Sequence, residues 1–128
     1  MKVYIAGPYT IGDVAQNVRN AVEAGDQVLK LGHTPFIPHM THFWHLLFPG
    51  PYEQWLQWDL SWLESCDALI RLPGQSSGAD REVAAAKKIG MAIFDGVKDF
   101  ADFSRHYDPA RGIARSRAKI IGCIHDDH

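Results

Sequence analysis

The sequence is short of cysteine, carries no excess of either charge and contains no long apolar run. Each shortage removes a class of function. Only Cys66 and Cys123 occur in 128 residues. They have neither metal-binding nor redox spacing, so no disulfide framework is expected and a reducing compartment is. Lys and Arg number 13 against 15 Asp and Glu, a formal net charge of −2. Such a chain has no basic face for nucleic acid or anionic membrane. No apolar stretch approaches the ~20 residues that span a bilayer. Met1 to Ala6 already read as the entry into a strand, which leaves no room for a signal peptide. Repeats, linkers and low-complexity tracts are also missing. The expectation is one cytoplasmic domain over residues 1–128, with no nucleic-acid or membrane partner. At 46% hydrophobic residues it has enough apolar content for a core.

What is present is an alternation of strands and helices. Val3 to Ala6 is apolar and closed by Gly7-Pro8. From Asp13, a good N-cap, Val14, Val18, Val22, Gly25, Val28 and Leu29 recur near a period of 3.6 up to Gly32. Thr34 to Pro38 reads as a second strand. Residues 39–52 have no clean period, are rich in aromatics and histidine, and read as a long binding loop or lid with a helical turn. Residues 53–65 read as a helix with a broad apolar face, beside which Asp59 is an unusual acid. Ala68 to Leu72 and Met91 to Phe94 are further strands, and a short helix is expected around Asp99 to Arg105. The class is α/β with a parallel sheet of four to five strands. Residues 96–128 have no assigned role, although Ile120 to Ile124 could supply the fifth strand or an oligomer contact.

The stretch most suggestive of chemistry is the turn and helix Pro73 to Gly90. In an open parallel sheet, ligands bind outside the carboxyl ends of the strands, which is where this turn falls. Glu82 follows Ser76, Ser77 and Gly78 into the helix, whose positive end favours an ionised carboxylate. The bland alternative makes Ser77 an N-cap and Glu82 a solvated first-turn acid. Tyr9 and Thr10 after the first strand, His39 after the second, Asp59 and the Ser76–Glu82 turn all converge on one end of the sheet. Two carboxylates from separate elements at one cleft suit glycosyl chemistry, one at an oxocarbenium-like centre and the other handling a proton or a sugar hydroxyl.

Tyr4-Ile5-Ala6-Gly7-Pro8-Tyr9, Asp59-Leu60-Ser61-Trp62-Leu63 with Cys66-Asp67-Ala68, and Ser76-Ser77-Gly78 followed by Glu82 occur in that order. Together they resemble the nucleoside 2-deoxyribosyltransferase-like family, which includes nucleoside 5′-monophosphate N-glycosidases. The resemblance covers roughly residues 1–95. It implies a flavodoxin-like three-layer fold and cleavage or transfer of an N-glycosidic bond, with no metal or organic cofactor. By the same resemblance Glu82 is the nucleophile, and Asp59 binds sugar hydroxyls or protonates the leaving base. Gly7, Tyr9, Thr10, His39, Ser76, Ser77 and Gly78 contact the nucleoside or nucleotide. The chain departs from the monophosphate hydrolases in having no arginine in Gly7-Pro8-Tyr9-Thr10, which leaves the need for a 5′-phosphate open. It departs from the transferases in placing Tyr9 one position early.

His39, His42 and His45 recur every three residues, but no carboxylate or fourth histidine lies at metal-ligand spacing, and no metal is expected. Phe43, Trp44, Phe48 and Trp55 are too many large aromatics for one small domain to bury. They predict a homodimer or higher homo-oligomer whose contact borders the site. The rival to an enzyme is a non-catalytic nucleotide-binding or sensing module using the same crevice.

Overall fold

The computed structural model describes residues 1–111. Its elements are β1 (Lys2–Ala6), α1 (Val14–Lys30), β2 (Thr34–Phe36), a 3₁₀ turn (Pro38–Thr41), α2 (His42–Leu47), α3 (Tyr52–Leu63), β3 (Ala68–Arg71), α4 (Ser77–Lys88), β4 (Ala92–Asp95), α5 (Gly96–Ser104) and a last 3₁₀ turn (Pro109–Arg111). The four strands form one all-parallel sheet in the order β2-β1-β3-β4. With helices on both faces this is the flavodoxin-like three-layer arrangement. The expected fifth strand falls on residues outside the described ones.

Strand alternation sorts the side chains into two cores. Val3, Ile5, Ala68, Ile70 and Phe94 face α1 and α5. Tyr4, Ala6 and Leu69 face α3 and α4, meeting Leu63, Ala79 and Ala86. Tyr4 pairs in register with Leu69, and Ala6 with Arg71. The alternation therefore assigns Tyr4 and Arg71, two polar-tipped side chains, to the face that carries α4. That placement decides the chemistry below.

Several boundaries differ from the sequence reading. Helix α1 buries Ala21, Ala24, Gly25 and Val28, while Val22 and Leu29 lie exposed. Small residues bring it close to its neighbours: a Cβ on Gly25 would stand 2.3 Å from Ile37 Cδ1. Asp13 is its N-cap, accepting from the Gln16 N–H. The segment after β2 is a 3₁₀ turn and then a helix rather than a loop. Its lack of period has a simple cause, because among the described residues α2 buries none of its side chains. Helix α5 starts directly after β4, three residues earlier than the pattern around Asp99 suggested.

Candidate active site

A cavity of ≈ 230 Å³ opens at the carboxyl ends of β1, β2 and β3. That is slightly smaller than the usual range of drug-sized ligand sites, so it suits a small ligand. All of the sequence-derived candidates border it: Gly7, Tyr9 and Thr10 from the loop after β1, His39 from the 3₁₀ turn, Asp59 from α3, and Ser76, Ser77, Gly78 and Glu82 from the start of α4. Pattern reasoning missed His45, Tyr52 and Trp55, which close the side formed by α2 and α3. Only the density of aromatics in that stretch hinted at them.

The turn before α4 is capped by Ser76, not Ser77. Its backbone is extended (φ −164°, ψ 109°), and its Oγ accepts the Ala79 N–H at 3.0 Å. Because the helix begins at Ser77, Glu82 lies in its second turn rather than its first, and its side chain is only 5% exposed. The expectation that the helix end would favour an ionised Glu82 is thereby overturned. The dipole acts mainly within the first turn, and burial dominates. Glu82 is pushed up to about 8, first by burial and then by the charge of Asp59, against the hydrogen bond from Tyr4 and the charge of Arg71. Asp59 is pushed up to about 7 by burial, and its Oδ1 is buried with no hydrogen-bond partner among the described residues.

Tyr4 is the group the sequence reading overlooked. It is fully buried, its ring stacks on Phe36 at 5.4 Å, and its hydroxyl donates to Glu82 Oε2. Burial, followed by the charges of Glu82 and Asp59, keeps the phenol protonated well above the usual range. The signal was a tyrosine among the apolar residues Val3 to Ala6, on the face that meets α4.

Each histidine of the 39–45 segment has its own partner. His39 Nε2 donates to the Pro8 carbonyl at 2.9 Å, which leaves Nδ1 as the bare nitrogen, buried and unpartnered. Burial lowers its pKa and favours the neutral ring. His42 Nδ1 meets the Tyr9 hydroxyl at 2.5 Å. His45 Nδ1 accepts from Trp55 Nε1 at 2.8 Å and from the Gly50 N–H at 3.3 Å. Among the described residues, no group of three His, Cys, Asp or Glu is placed to hold a metal ion. These bonds instead tie α2, α3 and the first loop around the cavity.

Close approach explains Gly78: a Cβ there would stand 2.9 Å from the Tyr52 hydroxyl, which lies over the start of α4. Arg81 pairs with Glu53 at 2.8 Å and binds α4 to α3. Asp67 keeps a structural place, its Oδ2 accepting the Lys2 N–H at 2.8 Å.

The model of one protein family, described as "Domain of unknown function (DUF7768)", matches residues 1–95. The chain belongs to that family. The matched span of this DUF7768 domain runs from β1 to the end of β4 and so contains every residue of the cavity named above. No curated protein sequence matches the chain. Among solved structures, it is similar to a 2-deoxyribosyltransferase from the psychrotolerant bacterium Bacillus psychrosaccharolyticus. The TM-score is 0.60, the match covers 87% of this chain and 95% of that chain, and the identity is 20%. That likeness is one of fold.

Proposed function

We propose that the domain cleaves or transfers the N-glycosidic bond of a nucleoside through a carboxylate nucleophile. The observation that carries this reading is the pairing of two carboxyl groups of unequal surroundings at one cavity, the buried Glu82 with a hydroxyl donor and the half-buried Asp59, whose Oδ1 has none among the described residues. The fold shared with a nucleoside-processing transferase supports it.

The active form is the pair carrying a single proton. The two groups titrate at about 7 and about 8, which puts the charge of the resting singly protonated pair on Asp59, and the reactive arrangement is the tautomer with the charge on Glu82. Tyr4 and Arg71 both favour it on Glu82, and no donor favours it on Asp59 Oδ1. Glu82 attacks the anomeric carbon as the bond to the base nitrogen breaks, and the bonding pair leaves with the base. Asp59 gives its proton to that nitrogen. Water or a second base then attacks the glycosyl ester, passes its proton to Asp59 and frees Glu82.

A nucleoside suits the cavity better than its 5′-monophosphate. Among the described residues the lining has two acids and neither lysine nor arginine. The start of α4, a natural phosphate cradle, is covered by Tyr52, and its Ala79 N–H is already bonded to Ser76. A chromatographic screen for free base across nucleosides and their monophosphates tests this. Nucleosides are expected to react at least ~10-fold faster, a difference of about 1.4 kcal/mol. Faster release from monophosphates would reverse the substrate assignment, and no release from any of them would remove the activity.

A contact between copies of the chain is also proposed. Phe43, Leu46, Leu47 and Phe48 are each 60–70% exposed, and they lie together on or just after α2. We place the contact between two copies of the chain on this face, next to the cavity that His45 lines. Sedimentation should return about twice the chain mass for the wild type and a monomer for the double variant Phe43→Ser, Phe48→Ser. A wild type that stays monomeric across a wide concentration range rules the contact out.

A further inference from the structure

We propose that Arg71 is a positioning residue for this site, clamping the turn between β3 and α4 so that the helix presents Glu82 to the cavity. The inference rests on the reading of Glu82 as the reacting group. Arg71 ends β3 on the sheet face that carries α4. Its side chain does not run out to solvent: it is 19% exposed and folds back along the turn. One guanidinium nitrogen donates to the Leu72 carbonyl, and another to the Gly74 carbonyl at 2.9 Å and to Asp80 Oδ1 at 3.1 Å. One planar fork thus holds the beginning and middle of the turn together with the first turn of α4. The turn is fixed from the other side as well. Gly74 has a φ of +111°, and a Cβ on it would come within 2.8 Å of Pro8 Cγ. Held on both sides, the turn delivers Ser76 to its cap and sets the rotation at which Glu82 enters the cavity.

The same cation acts on Glu82 electrostatically. The groups that bear on its carboxyl are Tyr4 from β1, Asp59 from α3 and Arg71 from β3, and Arg71 is the cation among them. It opposes burial and the charge of Asp59. A turn clamp made only of backbone bonds would position Glu82 without this second effect.

Two variants separate the effects. Arg71→Met removes fork and charge, and Arg71→Lys keeps the charge but loses the planar fork. The side-chain titration of Glu82 is read by ¹³C NMR, assigned against Glu82→Gln, and base release is measured alongside. In Arg71→Met the Glu82 midpoint should rise by about one pH unit and base release should fall about tenfold, since slight misplacement of a reacting group has a large effect on rate. In Arg71→Lys the midpoint should stay near the wild-type value while the rate remains low. A midpoint unmoved in Arg71→Met, or an Arg71→Lys protein as fast as the wild type, overturns the proposal. If Arg71→Met does not fold, the rate and midpoint of Arg71→Lys decide alone. If the wild type releases no base, the functional reading fails, and the NMR midpoints still decide whether Arg71 governs Glu82.

Discussion

Glu82→Gln is expected to lower base release by at least ~10³-fold, on the scale of losing about 4 kcal/mol of transition-state stabilisation, while the ligand still binds. The amide keeps the shape of the side chain and can still accept the Tyr4 hydroxyl, but it cannot attack the anomeric carbon. Asp59→Asn should slow the reaction less and weaken substrate binding more, because sugar contacts are made in the ground state too. Glu82→Gln should also stabilise the fold at high pH. Glu82 rises from 4.5 to about 8 on folding. A carboxyl with a raised folded-state pKa leaves stability intact below 4.5, and stability then falls as pH climbs through 8. The full loss is on the order of 3–5 kcal/mol. Urea unfolding at pH 6 and pH 9 should therefore find Glu82→Gln gaining on the wild type as pH rises. Equal base release by the two proteins would remove Glu82 from the chemistry. Should neither release base while both bind nucleoside, the chain is a binding module.

The sequence made much of the candidate site legible because most of its groups sit after strand ends or near one helix start, positions that local patterns locate well. Gly7, Tyr9 and His39 follow strands, and Glu82 follows a capped turn. Three facts needed the third dimension. Tyr4 meets Glu82 across 78 positions of chain, a contact that only the parallel register of β1 with β3 creates. Arg71 drew no notice within the strand Ala68 to Leu72, yet alternation turns it towards α4. The charge state of Glu82 was misread because sequence located the helix end but gave no account of burial. The segment from His39 to Tyr52 was illegible for another reason. Hydrophobic periodicity reports a buried face, and α2 has none among the described residues.

Tyr4→Phe isolates one oxygen atom and should slow base release by about 10- to 10²-fold at pH 7. The ring remains free to stack on Phe36, so packing is unchanged and the loss is that of the hydrogen bond to Glu82 Oε2. A bond to a charged group contributes about 1.5–3 kcal/mol, and here it favours the ionised carboxylate. Without it Glu82 ionises later, and the acid limb of the pH–rate profile moves upward. The effect on stability has a definite sign. Below about pH 7 the wild-type carboxyl is mostly protonated, so the variant should lose little. At pH 9 the wild type has a carboxylate with a donor and the variant has one without, which widens the gap by about 1.5–3 kcal/mol. Denaturant unfolding of both proteins at pH 6 and pH 9, with the pH–rate profile, measures both effects. A stability gap identical at the two pH values, together with an unmoved acid limb, would reduce Tyr4 to a packing residue.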